Sequence, residues 1–173
     1  MTTFISKVTT IRPGIIRILG CNPGPMTLQG TNTYLIGTGT KRVLLDVGEA
    51  RNAEYITSLE SVLQQQNTTI NQIVISHWHH DHIGGLKDVL KCLPEPVSVY
   101  KIPRFDKDDD PMLNLTTYIP LKHLDEIKTQ EATLRNKTRR RMSLSRRRSR
   151  ATGHRACDMT EVLKRLIARK TLS

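Results

Sequence analysis

Gln72-Ile73-Val74-Ile75-Ser76 runs directly into His77-Trp78-His79-His80-Asp81-His82-Ile83-Gly84-Gly85. The first five residues are nearly all apolar, the composition of a short strand buried on both faces. Four of the chain's six histidines then fall at positions 77–82. His77 and His79 stand two apart, so an extended strand end directs both imidazoles to one side. Asp81 and His82 follow where the chain turns toward the next helix, which aims them at a neighbouring point. The Ile83-Gly84-Gly85 turn lets the backbone begin that helix close to the cluster. Neutral imidazoles with a carboxylate form a borderline donor set suited to Zn²⁺. Asp81 and His82 do not share the focus of the first pair, so the spacing accommodates a second ion about 3.5–4 Å away. The candidate metal ligands are therefore His77, His79, Asp81 and His82. A solvated histidine-rich loop is the competing reading, and the buried strand that delivers the cluster argues against it. His80 is out of phase and reads as a surface residue. His123, alone in a loop, reads as structural or exposed.

The surrounding chain alternates strands and helices. Val8 to Leu19 carries β-branched residues at strand spacing and is broken by Pro13-Gly14, which predicts a hairpin. Thr33 to Ile36 and Arg42 to Asp46 read as two more strands across Gly37-Thr38-Gly39. Ala53 to Gln65 sets Ile56, Leu59, Val62 and Leu63 at three- and four-residue spacing, which predicts a helix with one buried stripe. Gly85 to Leu93 predicts a second helix, stopped by Pro94, and Val97 to Ile102 a strand. Asp106 to Pro111 is an acidic, turn-rich loop. Leu113 to Ile119 and Thr133 to Arg135 read as further strands. The order β-β-β-β-α-β-α-β points to an α/β layered domain.

At 173 residues the chain has room for one domain, and 37% hydrophobic with 25% charged residues fits a globular protein. Apolar runs such as Ile15-Ile16 and Val43 to Leu45 are far too short to span a bilayer, so no membrane partner is expected. Cys21, Cys92 and Cys157 form no CxxC pair and are odd in number, which points to free thiols in a reducing compartment. The net charge of +11 is unevenly placed. Residues 1–134 hold 13 Lys and Arg against 14 Asp and Glu, whereas residues 135–173 hold 14 against 2. The basicity thus belongs to the last 39 residues. Residues 135–150 hold nine of those cations and no acid, a density that predicts disorder. Met159 to Lys170 places Val162, Leu163, Leu166 and Ile167 on one face behind Thr160 as N-cap, a short amphipathic helix. This arm suits sequence-blind contact with RNA phosphates or a nuclear localisation signal. Accidental basicity of an out-of-frame tail is the alternative.

The motif at 77–82 resembles that of the metallo-β-lactamase superfamily, whose members carry HxHxDH after a strand. Gly20-Cys21-Asn22-Pro23-Gly24-Pro25-Met26-Thr27-Leu28-Gln29-Gly30-Thr31-Asn32-Thr33-Tyr34-Leu35-Ile36-Gly37-Thr38-Gly39 is similar to the amino-terminal signature of an endoribonuclease of its glyoxalase-II-like branch. Leu44-Leu45-Asp46-Val47-Gly48-Glu49 and Glu131-Ala132-Thr133-Leu134-Arg135 match as well, so the resemblance covers about residues 5–135. It implies a four-layer αββα sandwich with metals at the rim between two sheets. It also implies a di-zinc hydrolase cutting single-stranded RNA in the mitochondrial matrix, the cytoplasm being the alternative compartment. Carried over, His77 and His79 bind one Zn²⁺, and Asp81 and His82 the second. The two metals would lower the pKa of a bridging water and stabilise charge on the phosphodiester oxygens, with Asp81 orienting the hydroxide as a catalytic residue. Asp46, at a strand end, reads as a group supporting the ligands or as a structural turn.

The resemblance stops near Asn136. The family supplies a third histidine, a bridging aspartate and a last histidine beyond that point, where this chain has Asn136-Lys137-Thr138-Arg139-Arg140-Arg141. His154 is the remaining candidate ligand. The expectation is an incomplete domain over residues 1–135, the amino-terminal half of the sandwich, with the inner face of its sheet uncovered. A basic tail over 136–173 follows, from truncation or a shifted reading frame. The leading function is a metal-dependent endoribonuclease or a derivative of one. The alternatives are a catalytically inactive RNA-binding or regulatory form using the tail, and a thioester or lactam hydrolase. Oligomeric state is open.

Overall fold

The computed structural model of the chain describes residues 4–103, 118–122, 124–129 and 133–135. Pro13-Gly14 turns β1 (Val8–Arg12) into β2 (Ile15–Leu19), and Gly14 sits at φ +77°, a conformation costly for any side-chain-bearing residue. β3 (Asn32–Ile36) and β4 (Lys41–Leu45) continue the antiparallel meander. Helix α1 (Ala53–Gln65) then crosses over to β5 (Thr69–Ile75), which lies parallel to β4. The one-turn α2 (His80–Ile83) and α3 (Leu86–Cys92) lead to β6 (Ser98–Lys101), which is parallel to β5. A two-residue β7 (Ile119–Pro120) completes a seven-stranded sheet in the order β1-β2-β3-β4-β5-β6-β7. β8 (Glu126–Lys128) and β9 (Thr133–Arg135) pair antiparallel as a separate two-stranded unit.

Strand alternation sorts the core into two layers. On one face, Ile16, Ile18, Leu35, Leu44, Ile73 and Ile75 pack beneath Tyr55, Leu59 and Val62 of α1 and Val89 of α3. On the other, Ile15, Tyr34, Ile36, Val43, Leu45 and Val74 meet Leu121, Ile127 and Leu134. Ile73, Val74 and Ile75 are wholly buried and point to alternate faces, as the apolar run in the sequence requires. Each such side chain contributes about 1.5–3 kcal/mol on burial. Three layers of an αββα sandwich are therefore present among the described residues: helices, the main sheet and the start of a second sheet.

The second face of the main sheet departs from expectation. It is covered in part by Leu121, Ile127 and Leu134, and β8 has no counterpart in the sequence reading. A three-residue strand with one buried side chain leaves too little alternation to recognise. The strand before the histidines also differs. β5 begins at Thr69 and ends at Ile75, so His77 and His79 lie beyond it in the connecting segment. α1 matches its expected limits, and α3 runs Leu86–Cys92 with Gly85 and Leu93 as its caps. Among the described residues Cys21 and Cys92 are free, and no helix is long and apolar enough to cross a membrane. The acidic loop at 106–111, most of the expected strand at 113–119, His123, the basic tail, the helix at 159–170, His154 and Cys157 lie outside the described residues.

The start of α1 fixes a long loop as well as a helix. Asn52 Oδ1 accepts the N–H of Tyr55 at 3.0 Å, while its Nδ2 donates to the carbonyls of Gly20 at 2.9 Å and Cys21 at 3.0 Å. Asn52→Ala removes the cap and both loop bonds. We expect it to cost about 1–3 kcal/mol in denaturant unfolding. Asn52→Asp keeps the cap acceptor without the amide donors and falls between that variant and the native chain.

Candidate metal centre

Two segments build the site, and the main chain ties them together. The N–H of Asp46 donates to the Val74 carbonyl at 2.8 Å, that of Val47 to His82 O at 2.9 Å, and that of Gly85 to Gly48 O at 2.9 Å. The exit of β4 is thus stitched to the whole histidine-rich turn. A Cβ on Gly85 would lie 2.1 Å from the Val47 carbonyl oxygen, so this glycine is required for close approach rather than for an unusual φ.

Asp46 is the hub. It is fully buried and holds φ +61°, a left-handed conformation that Asp tolerates better than most residues. Its Oδ1 accepts the Ser76 N–H at 2.8 Å. Its Oδ2 accepts the Ser76 hydroxyl at 2.8 Å and lies 2.9 Å from His82 Nδ1. Ser76 Oγ is also 2.8 Å from His77 Nδ1. With the Ser76 proton committed to Asp46, the serine oxygen accepts from His77 Nδ1–H. Both rings are then held as Nδ1–H, with Nε2 as the nitrogen that bears the lone pair, the arrangement that orients histidine ligands.

The other motif residues gather around this pair. The rings of His77 and His82 are 4.1 Å apart and those of His77 and His79 4.7 Å apart, the latter edge to face. His79 occupies the N-cap position of α2 without a side-chain capping bond, and Trp78 lies with its ring 4.2 Å from the ring of His79. Asp81 Oδ2 is 3.4 Å from His82 Nε2 and accepts the Thr31 hydroxyl at 2.7 Å. His80 is exposed, with Nε2 3.5 Å from Glu49 Oε1. Thr31 and Ser76 were not singled out from the sequence. Ser76 adjoins the motif, but Thr31 lies 50 residues from its partner, and no local pattern links the two.

The electrostatics suit cation binding. Burial, then the neighbouring His82, pushes the His77 imidazole down to about 4, which leaves it neutral above that pH. Burial opposes ionisation of Asp81, but the Thr31 hydroxyl bond and His82 outweigh it and hold the carboxyl below its ordinary value. Burial likewise opposes protonation of His82, and the bond to Asp46 with the charges of Asp46 and Asp81 reverses it, so His82 is raised above 6.5. The donors have the right chemistry for two part-sites, His77 with His79 and Asp81 with His82. Among the described residues no set of three such side chains forms a closed cage. Each part-site therefore falls short of the three protein ligands usual for catalytic zinc.

Replacing Asp46 by Asn keeps size and tolerance of positive φ while removing the charge. We expect a stability loss of about 1–3 kcal/mol and a lower His82 pKa by NMR titration of the metal-free protein. Because the folded-state value is raised, the contribution of His82 to native stability is full below pH 6.5 and is lost as pH rises through the folded value. The gap between native and Asp46→Asn should narrow in that direction.

Comparison with known proteins agrees with this architecture. Residues 26–141 match the family model of the metallo-beta-lactamase superfamily. The chain is 44% identical over 135 residues to the Beta-lactamase-like protein 2 homolog of Drosophila melanogaster, covering 76% of this chain and 46% of the relative. It is 40% identical over 98 residues to the atrochrysone carboxyl ACP thioesterase dmxR1 of a Cryptosporiopsis species, covering 56% of this chain and 30% of the relative. It thus spans less than half the length of these curated relatives. MEM-A1, a subclass B3 metallo-beta-lactamase from a soil metagenome library, superposes with a TM-score of 0.53 at 14% identity, covering 76% of this chain and 52% of that one. A family match over more than half of the residues, on a fold shared with a solved lactamase, places this chain in the metallo-β-lactamase superfamily.

Proposed function

We propose that this chain carries the first half of the ligand set of a metal-activated hydrolase, with Zn²⁺ as the metal and single-stranded RNA as the substrate. The observation that carries the reading is the Asp46–Ser76–His77 and Asp46–His82 network, which holds two imidazoles through Nδ1 and sets His82 Nε2 3.4 Å from Asp81 Oδ2. His77 and His79 would hold one ion, and Asp81 and His82 the other. Bound there, zinc supplies hydroxide near neutral pH and positive charge against phosphodiester oxygens. Asp81 would orient the attacking oxygen, and Asp46 would hold the His77 and His82 rings in place. RNA as substrate is supported by the resemblance of residues 20–39, 44–49 and 131–135 to an endoribonuclease of the superfamily. The cations of residues 135–173 supply phosphate contacts that weaken with salt. The same resemblance supports the mitochondrial matrix as compartment.

A second reading, acyl-thioester hydrolysis, is favoured by the 40% identity to a fungal carrier-protein thioesterase. Both chemistries use an activated hydroxide and differ in the electrophile. A third, an inactive RNA binder working through the basic tail, is favoured by the two-ligand part-sites found among the described residues.

The purified chain, loaded with zinc, is given single-stranded RNA and an acyl thioester in parallel, with and without chelator and alongside His77→Ala. RNA cleavage that falls at least about 100-fold in both controls supports the proposal. Cleavage of the thioester alone moves the assignment to the second reading, and salt-sensitive RNA binding without cleavage to the third. A zinc titration is expected to show weak binding at open sites, and two tightly held ions per chain would contradict the two-ligand description.

A further inference from the structure

The loop between β2 and β3 runs from Gly20 to Thr31 and reaches the metal centre through one side chain. Thr31 is 5% exposed, and its hydroxyl donates to Asp81 Oδ2 at 2.7 Å. Thr31 is itself held at two points by Asn22. Its N–H donates to Asn22 Oδ1 at 2.8 Å, and Asn22 Nδ2 donates to Thr31 Oγ1 at 3.2 Å. With its oxygen receiving the Asn22 amide, the threonine hydroxyl has its own proton to give to the carboxylate.

The rest of the loop serves this clamp. The Gly20 N–H donates to the Thr31 carbonyl at 2.7 Å, and a Cβ on Gly20 would meet Asn22 Oδ1 at 2.9 Å. Gly30 adopts φ +142°, which bends the chain into Thr31. Thr27 Oγ1 donates to the Asn22 carbonyl, and Asn52 fastens Gly20 and Cys21 to the start of α1. An exposed loop with no task needs no such set of side-chain bonds converging on one buried hydroxyl.

We infer that Thr31 is a positioning residue for Asp81. Its hydroxyl bonds Oδ2 and restrains the carboxylate beside His82, and Asn22 holds Thr31 in register. The inference rests on the proposed metal-hydrolase reading. Without the threonine hydroxyl the α2 carboxylate loses this restraint and is free to rotate beside His82, whose Nε2 lies 3.4 Å from Oδ2. Groups that orient a ligand in this way typically change metal affinity about 10- to 100-fold when removed.

The test is a titration of the metal-free chain with Co²⁺ alone, followed by visible absorption, on the native protein and on Asp81→Ala, Thr31→Val, Thr31→Ala and Thr31→Ser. Melting of the metal-free variants is recorded alongside. Thr31→Ala gives the reading should the valine variant fail to fold. Affinity is expected to fall about 10- to 100-fold in Asp81→Ala, Thr31→Val and Thr31→Ala, and Thr31→Ser is expected to lie within about twofold of native, since it keeps the hydroxyl. If Asp81→Ala weakens binding and Thr31→Val does not, the positioning role is wrong while the metal reading stands. Equal weakness of Thr31→Ser and Thr31→Val also overturns it, because the hydroxyl is then not the determinant. Native-like binding by Asp81→Ala removes the metal reading and this inference together.

Discussion

A single buried carboxylate holds the candidate metal centre of this molecule together. Asp46 sits where β4 ends, with no exposed surface, and receives three donors from the segment that follows β5. A charge in that position is costly unless fully paired. Its pairing determines the local structure around it. Ser76 must stand opposite it at the end of β5, and His82 must turn back on α2 to reach it. The His77 ring is then fixed through Ser76. Three of the polar groups at the centre thus take their orientation from one residue outside the histidine motif.

The sheet explains why that residue is where it is. β4 is the boundary between an antiparallel meander and a parallel array, and β4 and β5 end side by side. Carboxyl ends of adjacent parallel strands open a crevice in which loops from both strands converge. The Asp46–Ala50 and Ser76–Gly85 segments fill it, closed against each other by backbone bonds that leave no room for a Cβ on Gly85. A third segment, ending at Thr31, approaches from the antiparallel side and completes the rim.

Much of this was legible in the sequence. The spacing of Ile56, Leu59, Val62 and Leu63 gave α1 its limits, and Pro13-Gly14 marked the first hairpin, because both signals are local. The histidine cluster marked the candidate site for the same reason. β8 was missed because Glu126-Ile127-Lys128 carries only one apolar position, and its burial depends on Leu134 and the face of the main sheet. Thr31 was missed because hydroxyl-bearing residues abound in residues 27–40, and only the folded chain distinguishes the one that meets Asp81. The phase argument for His77 and His79 assumed a strand running to the motif. The strand stops at Ile75, and side-chain bonds to Ser76, not strand geometry, orient the first imidazole.

The seam at β4 also has a kinetic meaning. On its antiparallel side β1–β2 and β3–β4 are joined by tight turns and β2–β3 by the Gly20–Thr31 loop, all shorter than the crossover from Leu45 to Thr69, so their pairing requires less loop closure. The parallel side forms only after α1 has crossed over, and contacts that enclose a long loop form slowly. Loop-closure entropy therefore favours pairing of the meander before β5 is added to β4. On that order Asp46 is paired only once Ser76 and His82 reach it. On that order the imidazole cluster forms after the sheet, and a chain slowed at the crossover would present a formed core with the histidine-rich turn still unpaired.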